Sequence, residues 1–250
     1  MVLDIKMRIA IISDIHGNLE ACEAVLRKIC KNNIDEVWCL GDIVGYGADP
    51  QACIQLIQEN CSLIVQGNHD LGVVLRHTPA NFNSHAAFVL DWTRARLDEA
   101  SLRWLEALPL HAVRHGLLAF HAALKGRNAY IVSREDATDN LALMRTQYPN
   151  VKGGFFGHTH TQCFYQPTDP LKIPQETQVI QVAAGTPFLC NPSSVGQPRN
   201  HSSKAWFVLW DSSDYTLRFV TASYEIGTAQ QKILAAGLPA FLAERLEQGV

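Results

Sequence analysis

The order of apolar segments along the chain predicts an α/β fold. Over the first 70 residues, short β-branched runs alternate with segments of helical spacing. Strands at 8–13, 36–40 and 62–66 enclose helices at 18–31 and 49–59. This alternation is typical of a parallel sheet covered by helices. The last third of the chain is rich in strand patterns instead, so the sequence predicts an α/β protein with α+β character.

The individual elements follow from local patterns. The first strand is apolar throughout, as in strands buried on both faces, and Asp49-Pro50 is typical of a helix start. Helical spacing recurs from 84 to 108, with a break near Ala100-Ser101, at 134–147, and near the C-terminus, where Gly237-Leu238-Pro239 interrupts it. Further strands are predicted at 117–120, 154–156, 162–166, 178–183, 204–210 and 216–224.

Length and composition predict one globular domain over 7–250. The chain has 250 residues, 47% hydrophobic and 18% charged, which suits a single core. The segment 71–110 is longer than a connection needs and predicts a helical lid or insertion. With a net charge of -3 and no run of like charges, bulk nucleic acid is an unfavourable partner.

The cysteines and apolar runs indicate a cytoplasmic protein. The seven cysteines form no CxxC pair, which favours reduced, buried thiols over a disulfide framework. The N-terminus lacks the apolar core of a signal peptide, and no run approaches the roughly 20 apolar residues that span a bilayer. We therefore expect a soluble protein with no membrane partner.

Five polar motifs each follow an apolar run. Because the carboxyl ends of parallel strands share one edge of a sheet, we expect the motifs to meet in one crevice. Asp14 and His16, two residues apart, would point to the same side of an extended chain. Glycines before three of the motifs would permit sharp turns or close approach. The motifs are Asp14-Ile15-His16, Gly41-Asp42, Gly67-Asn68-His69-Asp70, His121 and Gly157-His158-Thr159-His160.

These residue types are ligands for divalent metals. Carboxylate, imidazole and amide oxygen suit borderline or hard cations, and the absence of cysteine from the set disfavours a structural zinc site. One carboxylate can bridge two ions about 4 Å apart, and Asp42 is the candidate. We expect two divalent ions, manganese first, with iron, zinc or nickel as alternatives.

Taken in order, the motifs resemble the calcineurin-like metallophosphoesterase superfamily, from about residue 8 to 225. The segments 41–47 and 191–199 resemble a bacterial and archaeal subgroup of small phosphoesterases. The resemblance implies a four-layer αββα sandwich of two mixed β-sheets flanked by helices. It also implies hydrolysis of phosphate ester bonds.

The resemblance further implies a role for each site residue. Three side chains would hold the first metal: Asp14, His16 and His160. Three would hold the second: Asn68, His121 and His158. Asp42 would bridge the two ions, and His69 would stabilise or protonate the leaving oxygen.

The expected reaction is attack on a phosphomonoester or phosphodiester by a hydroxide that bridges both metals, with His69 as general acid. The substrate would be a small phosphorylated molecule or a phosphoprotein. Serine/threonine protein phosphatase and dinucleoside polyphosphate hydrolase activities are the alternatives. A non-catalytic scaffold of the same fold is disfavoured because every ligand and His69 are present. The sequence shows no pattern typical of a basic groove, which disfavours a nuclease. A homo-oligomer is compatible with the sequence.

Some positions depart from the family pattern. The protein-phosphatase branch has an aspartate and an arginine where this chain has Gly45 and Tyr46. The aspartate that orients the catalytic histidine is therefore missing, and either Asp70 replaces it as a catalytic residue or no orienter exists. Ser193 stands where the subgroup usually has glycine, which would reshape its loop.

Tyr46 and Arg199 are the candidate substrate-binding residues. The planar fork of Arg199 suits phosphate, although it could equally pin its own loop, and Tyr46 could simply pack. Weaker candidates for contact with substrate anions lie in the segment 71–110, where a solvated helix face is the preferred interpretation: Arg76, Arg94 and Arg96.

Overall fold

The computed structural model describes residues 6–75 and 84–250, which alternate strands and helices in the expected order. The strands are β1 (Arg8–Ile12), β2 (Glu36–Cys39), β3 (Leu63–Ile64), β4 (His111–Arg114), β5 (Leu117–Phe120), β6 (Gly153–Phe155), β7 (Gln162–Tyr165), β8 (Val179–Gln181), β9 (Phe188–Pro192), β10 (Ala205–Asp211) and β11 (Thr216–Ala222). The helices are α1 (Leu19–Ile29), α2 (Pro50–Asn60), α3 (Asn68–Val74), α4 (Ser84–Arg94), α5 (Glu99–Ala107), α6 (Arg134–Gln147), α7 (Ile226–Ala235) and α8 (Ala240–Gln248).

The described strands form two mixed sheets. The first has the order β3-β2-β1-β10-β11-β8 and the second the order β4-β5-β6-β9-β7. In the first sheet, β1, β2 and β3 are parallel and β10 runs antiparallel to β1. In the second, β5, β6 and β9 are parallel. The motif-bearing strand ends therefore come from two sheets, not one.

Alternation along β1 distributes its side chains between two cores. Ile9 and Ile11 point between the sheets, whereas Ala10 and Ile12 join the core beneath α1 and α2. The core between the sheets contains large side chains of both: Trp38, Phe155, Phe188, Trp206 and Phe219. Burying each such side chain contributes roughly 1.5–3 kcal/mol, which holds the sheets face to face.

Helix α6 covers the outer face of the second sheet. Leu141 and Met144 of α6 pack with Leu118 and Phe120 of β5. The layers therefore run helix, sheet, sheet, helix. This order confirms the predicted four-layer αββα sandwich.

The described parts of the segment 71–110, at 71–75 and 84–110, pack into the core. Leu90 of α4 and Leu105 of α5 are fully buried with α1 and α2, and Trp92 packs with α7 and α8. Arg94 donates to the carbonyls of Gly72 and Val73 at the end of α3. Arg94 is thus engaged in the fold, and a lid role for the segment stays a prediction. Arg96 lies over the Trp92 ring, 3.7 Å from its centroid. Arg76 lies outside the described residues.

Two strands and one helix are absent from the sequence prediction: β9, β4 and α3. No strand is predicted at β9, which Pro187 precedes and Pro192 ends, and proline is depleted inside sheets. β4 has no buried residue, and α3 begins directly on the Asn68 motif. The break between α4 and α5 lies at 95–98, because Asp98 caps α5 by accepting from the Ser101 N–H.

Candidate metal centre

The motif residues adopt left-handed backbone conformations at the strand ends. Asp14 has φ 55°, His16 φ 50° and Asp42 φ 51°, and His158 and His160 have φ 68° and 57°. The expectation of an extended chain through each pair is therefore wrong. Left-handed backbone costs about 1–2 kcal/mol at each non-glycine residue, so surrounding hydrogen bonds must hold it.

Backbone hydrogen bonds join the loop after β1 to the loop after β2. The Asp14 N–H donates to the Gly41 carbonyl at 3.0 Å, and the His16 N–H donates to the Asp42 carbonyl at 2.9 Å. A Cβ on Gly67 would collide with the backbone nitrogen and the carboxylate of Asp42. The third motif can therefore approach the second only with glycine at position 67.

The first cluster comprises Asp14, His16, Asp42 and His160, all buried, with ligand atoms within 4.8 Å of one another. The Nε2 atoms of His16 and His160 lie 3.0 Å apart, and His160 Nε2 lies 3.3 Å from Asp14 Oδ1. His16 Nδ1 donates to the Val44 carbonyl and His160 Nδ1 to the Gln197 carbonyl. Because Nδ1 carries the proton, each Nε2 presents its lone pair to the centre.

The second cluster comprises Asp42, Asn68, His121 and His158. His121 Nε2 lies 3.2 Å from Asp42 Oδ2 and 3.0 Å from Asn68 Oδ1, and His121 Nδ1 donates to the Leu40 carbonyl. His158 Nε2 is buried without a hydrogen-bond partner among the described residues. Tyr130 stacks on the His158 ring with centroids 4.3 Å apart.

The donor set and its protonation fit two divalent cations. Burial lowers the pKa of His158 to about 4 and keeps the pKa of His16 well below its usual range, so these rings are neutral ligands. Burial opposes the charge on Asp42, but His121 holds the pKa of Asp42 well below its usual range. Burial disfavours the charge of His121, but the neighbouring Asp42 raises the pKa of His121 to about 9. A cation bound beside Asp42 would take the place of this proton and leave His121 Nε2 free to bind it. Buried carboxylates need positive partners, and the orphaned His158 nitrogen needs a partner for its lone pair.

His69 lies beside both clusters. Its backbone N–H donates to Asp42 Oδ1 at 2.8 Å, and its ring centroid lies 4.9 Å from that of His16. Burial lowers the pKa of His69 to about 4, partly offset by Asp42. A Cβ on Gly45 would stand 2.6 Å from His69 Nδ1. The missing side chain at position 45 therefore leaves room for the His69 ring in this position.

Asp70 braces the Asp42 loop. Its carboxylate accepts hydrogen bonds from the backbone N–H groups of Ile43, Val44 and Gly67 at 2.8–3.2 Å. Burial and then the nearby Asp42 raise the pKa of Asp70 to about 7. These bonds give Asp70 a structural task. Its predicted role in orienting His69 stays a prediction.

Tyr46 and Arg199 border the first cluster. The Tyr46 ring centroid lies 4.6 Å from that of His16 and 4.5 Å from that of His69. Arg199 donates through its backbone N–H to the His160 carbonyl and through its side chain to Gln197. Its Nε is buried with no hydrogen-bond partner among the described residues. Arg199 therefore helps to hold its own loop, and its Nε–H remains able to donate to a ligand.

The loop after β9 also supports the first cluster. Ser193 has φ 71°, the conformation in which glycine is easiest to accommodate, and its hydroxyl donates to the His160 carbonyl at 2.9 Å. Sequence reasoning missed two residues that position ligands. Gln197 lies in the segment 191–199, which resembles the small phosphoesterase subgroup, whereas no local pattern marks Tyr130.

Residues 7–214 match the calcineurin-like phosphoesterase superfamily domain. The chain superposes on a metallophosphoesterase from Sphaerobacter thermophilus with a TM-score of 0.85 and 32% identity, covering 98% of this chain and 99% of that one. An uncharacterized protein from Methanocaldococcus jannaschii is 35% identical over 249 residues, covering 98% of this chain and 99% of its own.

Two further relatives match at lower sequence identity. A bis(5'-nucleosyl)-tetraphosphatase (symmetrical) from Actinobacillus pleuropneumoniae is 28% identical over 125 residues, which cover 46% of this chain and 44% of that protein. A hypothetical protein from Pyrococcus horikoshii, 18% identical, shares the fold, with a TM-score of 0.76 over 97% of this chain and 98% of that one.

The chain belongs to the calcineurin-like phosphoesterase superfamily. Family membership and the buried Asp/His clusters together identify a metal-dependent hydrolase of phosphate esters. Within residues 6–75 and 84–250, no helix is both long and apolar enough to cross a membrane.

Proposed function

We propose that the chain hydrolyses a small phosphorylated molecule at a centre of two divalent ions. The observation that carries this proposal is the position of Asp42, whose carboxylate belongs to both clusters. We assign three ligands to the first ion and three to the second: Asp14, His16 and His160; Asn68, His121 and His158. Asp42 would be shared by the two ions.

Bound divalent ions would lower the pKa of water from about 15.7 towards 7 and offset the negative charge of the phosphate oxygens. The surrounding residues supply position and protons. His16, His121 and His160 donate Nδ1–H to backbone carbonyls, which fixes their rings before substrate binds. Asp42 additionally accepts from the His69 N–H, so the general acid is tied to the bridging ligand.

His69 is the proposed proton donor to the leaving oxygen. Because burial lowers its pKa to about 4, the ring is neutral at pH 7 before substrate binds. A negative phosphate close to the imidazole raises that pKa, so His69 takes up its proton together with the substrate. Arg199 and Tyr46, on the same side of the first cluster, are the proposed phosphate contacts.

A dinucleoside polyphosphate is the second candidate substrate. The observation that favours it is the partial similarity to relatives named bis(5'-nucleosyl)-tetraphosphatase. A phosphoprotein is less favoured because Tyr46 and Gly45 replace the arginine and aspartate of the protein-phosphatase branch. Manganese is the proposed metal, and the cytoplasmic location stays a prediction from the sequence.

The test is a parallel assay of the metal-reconstituted protein. Protein loaded with manganese, iron, zinc or nickel is offered p-nitrophenyl phosphate, its bis ester, a phosphopeptide and a dinucleoside tetraphosphate. We expect two ions per chain by elemental analysis and hydrolysis of a non-peptide ester. Two bound ions without hydrolysis of any substrate would leave the non-catalytic scaffold as the better interpretation. Preferred hydrolysis of the phosphopeptide would overturn the substrate proposal.

A further inference from the structure

A cavity of about 170 Å³ opens beside the second cluster. We call it the side cavity. Its walls come from Gln66–Asn68, from Leu110–His111 and from 120–127. Asn68 and His121 belong to both the side cavity and the second cluster. A molecule whose phosphate reaches these two ligands can therefore extend into the side cavity.

The described wall of the side cavity carries positive charge and no carboxylate. Lys125 and Arg127 line it, and none of the lining residues is Asp or Glu. Each of the two clusters, in contrast, contains a buried carboxylate. The side cavity is thus a place beside this centre where anionic charge is favoured even before any metal is considered.

Most N–H donors of the Arg127 guanidinium are available to a ligand. Among the described residues its side chain makes one hydrogen bond, from Nη1 to Gln66 Oε1 at 3.5 Å, the outer limit for such a bond. A guanidinium has five N–H donors in a fork that matches phosphate oxygens. Lys125 pairs with Asp136 at 3.4 Å, an exposed contact of small energy that an anionic ligand can replace.

His111 provides a neutral polar group on the same wall. Its Nδ1 lies 2.8 Å from the Tyr148 hydroxyl. Burial lowers the pKa of His111, and the nearby Arg127 lowers it further. Arg127, although exposed, is therefore close enough to act on His111, which lines the same cavity.

The side cavity suits a group of modest size. Since a cavity of about 10–15 Å³ is enough for one water molecule, 170 Å³ holds several and accommodates a phosphate group. Its lining combines cations and polar groups with apolar residues such as Phe120. A bare monoester such as p-nitrophenyl phosphate leaves these cations unused.

We propose that the side cavity binds a second phosphate group of the substrate, next to the phosphate that is hydrolysed, with Arg127 as its main contact and Lys125 as a second one. The inference rests on the proposed function and narrows its substrate class to molecules with consecutive phosphates. Arg127 and Lys125 are specificity residues in this proposal, because they contact a part of the substrate that does not react.

The test compares Arg127→Gln with a matched control, Arg145→Gln. Arg145 lies exposed in the last turn of α6, outside the wall of the side cavity, so its loss removes one positive charge elsewhere. The first readout is calorimetric binding of tripolyphosphate and of inorganic phosphate to the metal-loaded protein. The second is the ratio of kcat/KM for a dinucleoside tetraphosphate to that for p-nitrophenyl phosphate.

We expect Arg127→Gln to weaken tripolyphosphate binding by about 10- to 100-fold, the loss typical of a charge-assisted hydrogen bond, and phosphate binding far less. The kcat/KM ratio should fall in parallel, with a smaller fall for Lys125→Gln and none for Arg145→Gln. Equal losses for tripolyphosphate and phosphate, or no loss, would overturn the inference. If the wild-type protein binds tripolyphosphate in this way but hydrolyses no ester, the proposed function fails and the binding site stands.

Discussion

The two ligand clusters share Asp42 but differ in charge and enclosure. The first contains two carboxylates, Asp14 and Asp42, and two histidines, all fully enclosed. The second adds no carboxylate of its own and borders the side cavity through Asn68 and His121. Tyr130, which stacks on His158, is itself 49% exposed.

This difference indicates that the two clusters bind their ions with different affinities. Two buried carboxylates attract a divalent cation more strongly than one, so the first cluster should hold its ion more tightly. The second cluster, with an amide ligand and an open side, is better suited to exchange ligands with substrate. We therefore expect the first cluster to bind its ion tightly and the second cluster to bind its ion more weakly, on the side that faces the substrate.

The largest expected effect comes from Asp42→Asn, which removes the shared ligand from both clusters. We expect kcat/KM to fall by roughly 1,000-fold or more, beyond the 10- to 100-fold typical of losing an outer partner of a metal ligand. Elemental analysis should show fewer than two ions per chain. Asp139→Asn, an exposed change on α6, is the control. Two retained ions and normal turnover would refute the bridging role.

His69→Asn should separate catalysis from metal binding. His69 reaches Asp42 through its backbone N–H, which the substitution keeps, so both ions should remain. Without the imidazole, kcat should fall by about 100- to 10,000-fold, the usual contribution of general acid catalysis. The measurement is kcat alongside the metal content. Turnover equal to wild type would show that another group protonates the leaving oxygen.

His160→Gln and His158→Gln test the comparison of the clusters directly. We expect His158→Gln to lose only the weaker ion, with activity restored by excess metal in solution. His160→Gln opens the enclosed cluster and should lose the tighter ion, with little rescue. Metal titrations followed by activity and elemental analysis distinguish the two. The reverse pattern of rescue would mean that the second cluster binds more tightly.

Gly45→Ala should perturb His69 without touching a ligand. The new Cβ would stand 2.6 Å from His69 Nδ1, and Gly45 has φ +92°, which strains any other residue. We expect about a 10-fold lower kcat and a loss of about 1–3 kcal/mol in unfolding free energy. The control is Gly227→Ala in α7, where a Cβ meets nothing within 4 Å. That change should be neutral or stabilise by about 0.5–1 kcal/mol.

The smallest effect is expected for a substitution of Glu36, which lies at the opposite end of β2 from the Asp42 loop. Burial opposes the charge of Glu36, but hydrogen bonds from His115, Trp38, Arg114 and Ser62 lower the pKa of Glu36 to about 2. Because this pKa is depressed in the folded state, the ionised carboxylate stabilises the fold above about pH 4.5. That contribution disappears as the pH falls towards 2.

Glu36→Gln should therefore cost on the order of 1–2 kcal/mol at pH 7 and nothing near pH 2. Urea unfolding at several pH values measures the difference, and the ratio of activities at pH 7 serves as the control for the metal centre. A pH-independent difference would show that packing, and not the ionised carboxylate, is responsible.

Much of the fold follows from local patterns. β-branched runs, the Asp49-Pro50 helix start and the spacing of 134–147 predict elements that the structure contains at nearly the same bounds. β9 escapes such patterns because its apolar run is only three residues long and is flanked by prolines, and its pairing with β6 and β7 is set by the tertiary structure. Strand pairing between distant segments leaves no local periodicity to detect.

The sequence by itself determined which residue types stand at the strand ends, and therefore the kind of metal and reaction that the chain can support. Only the tertiary structure decided how they meet. Left-handed turns at Asp14 and His16, held by hydrogen bonds to the Asp42 loop, replace the extended geometry that spacing suggested. The stacking of Tyr130 on His158, and the cavity that Arg127 and Asn68 both line, join residues from separate segments. Such contacts depend on the packing of two sheets, which no single segment encodes.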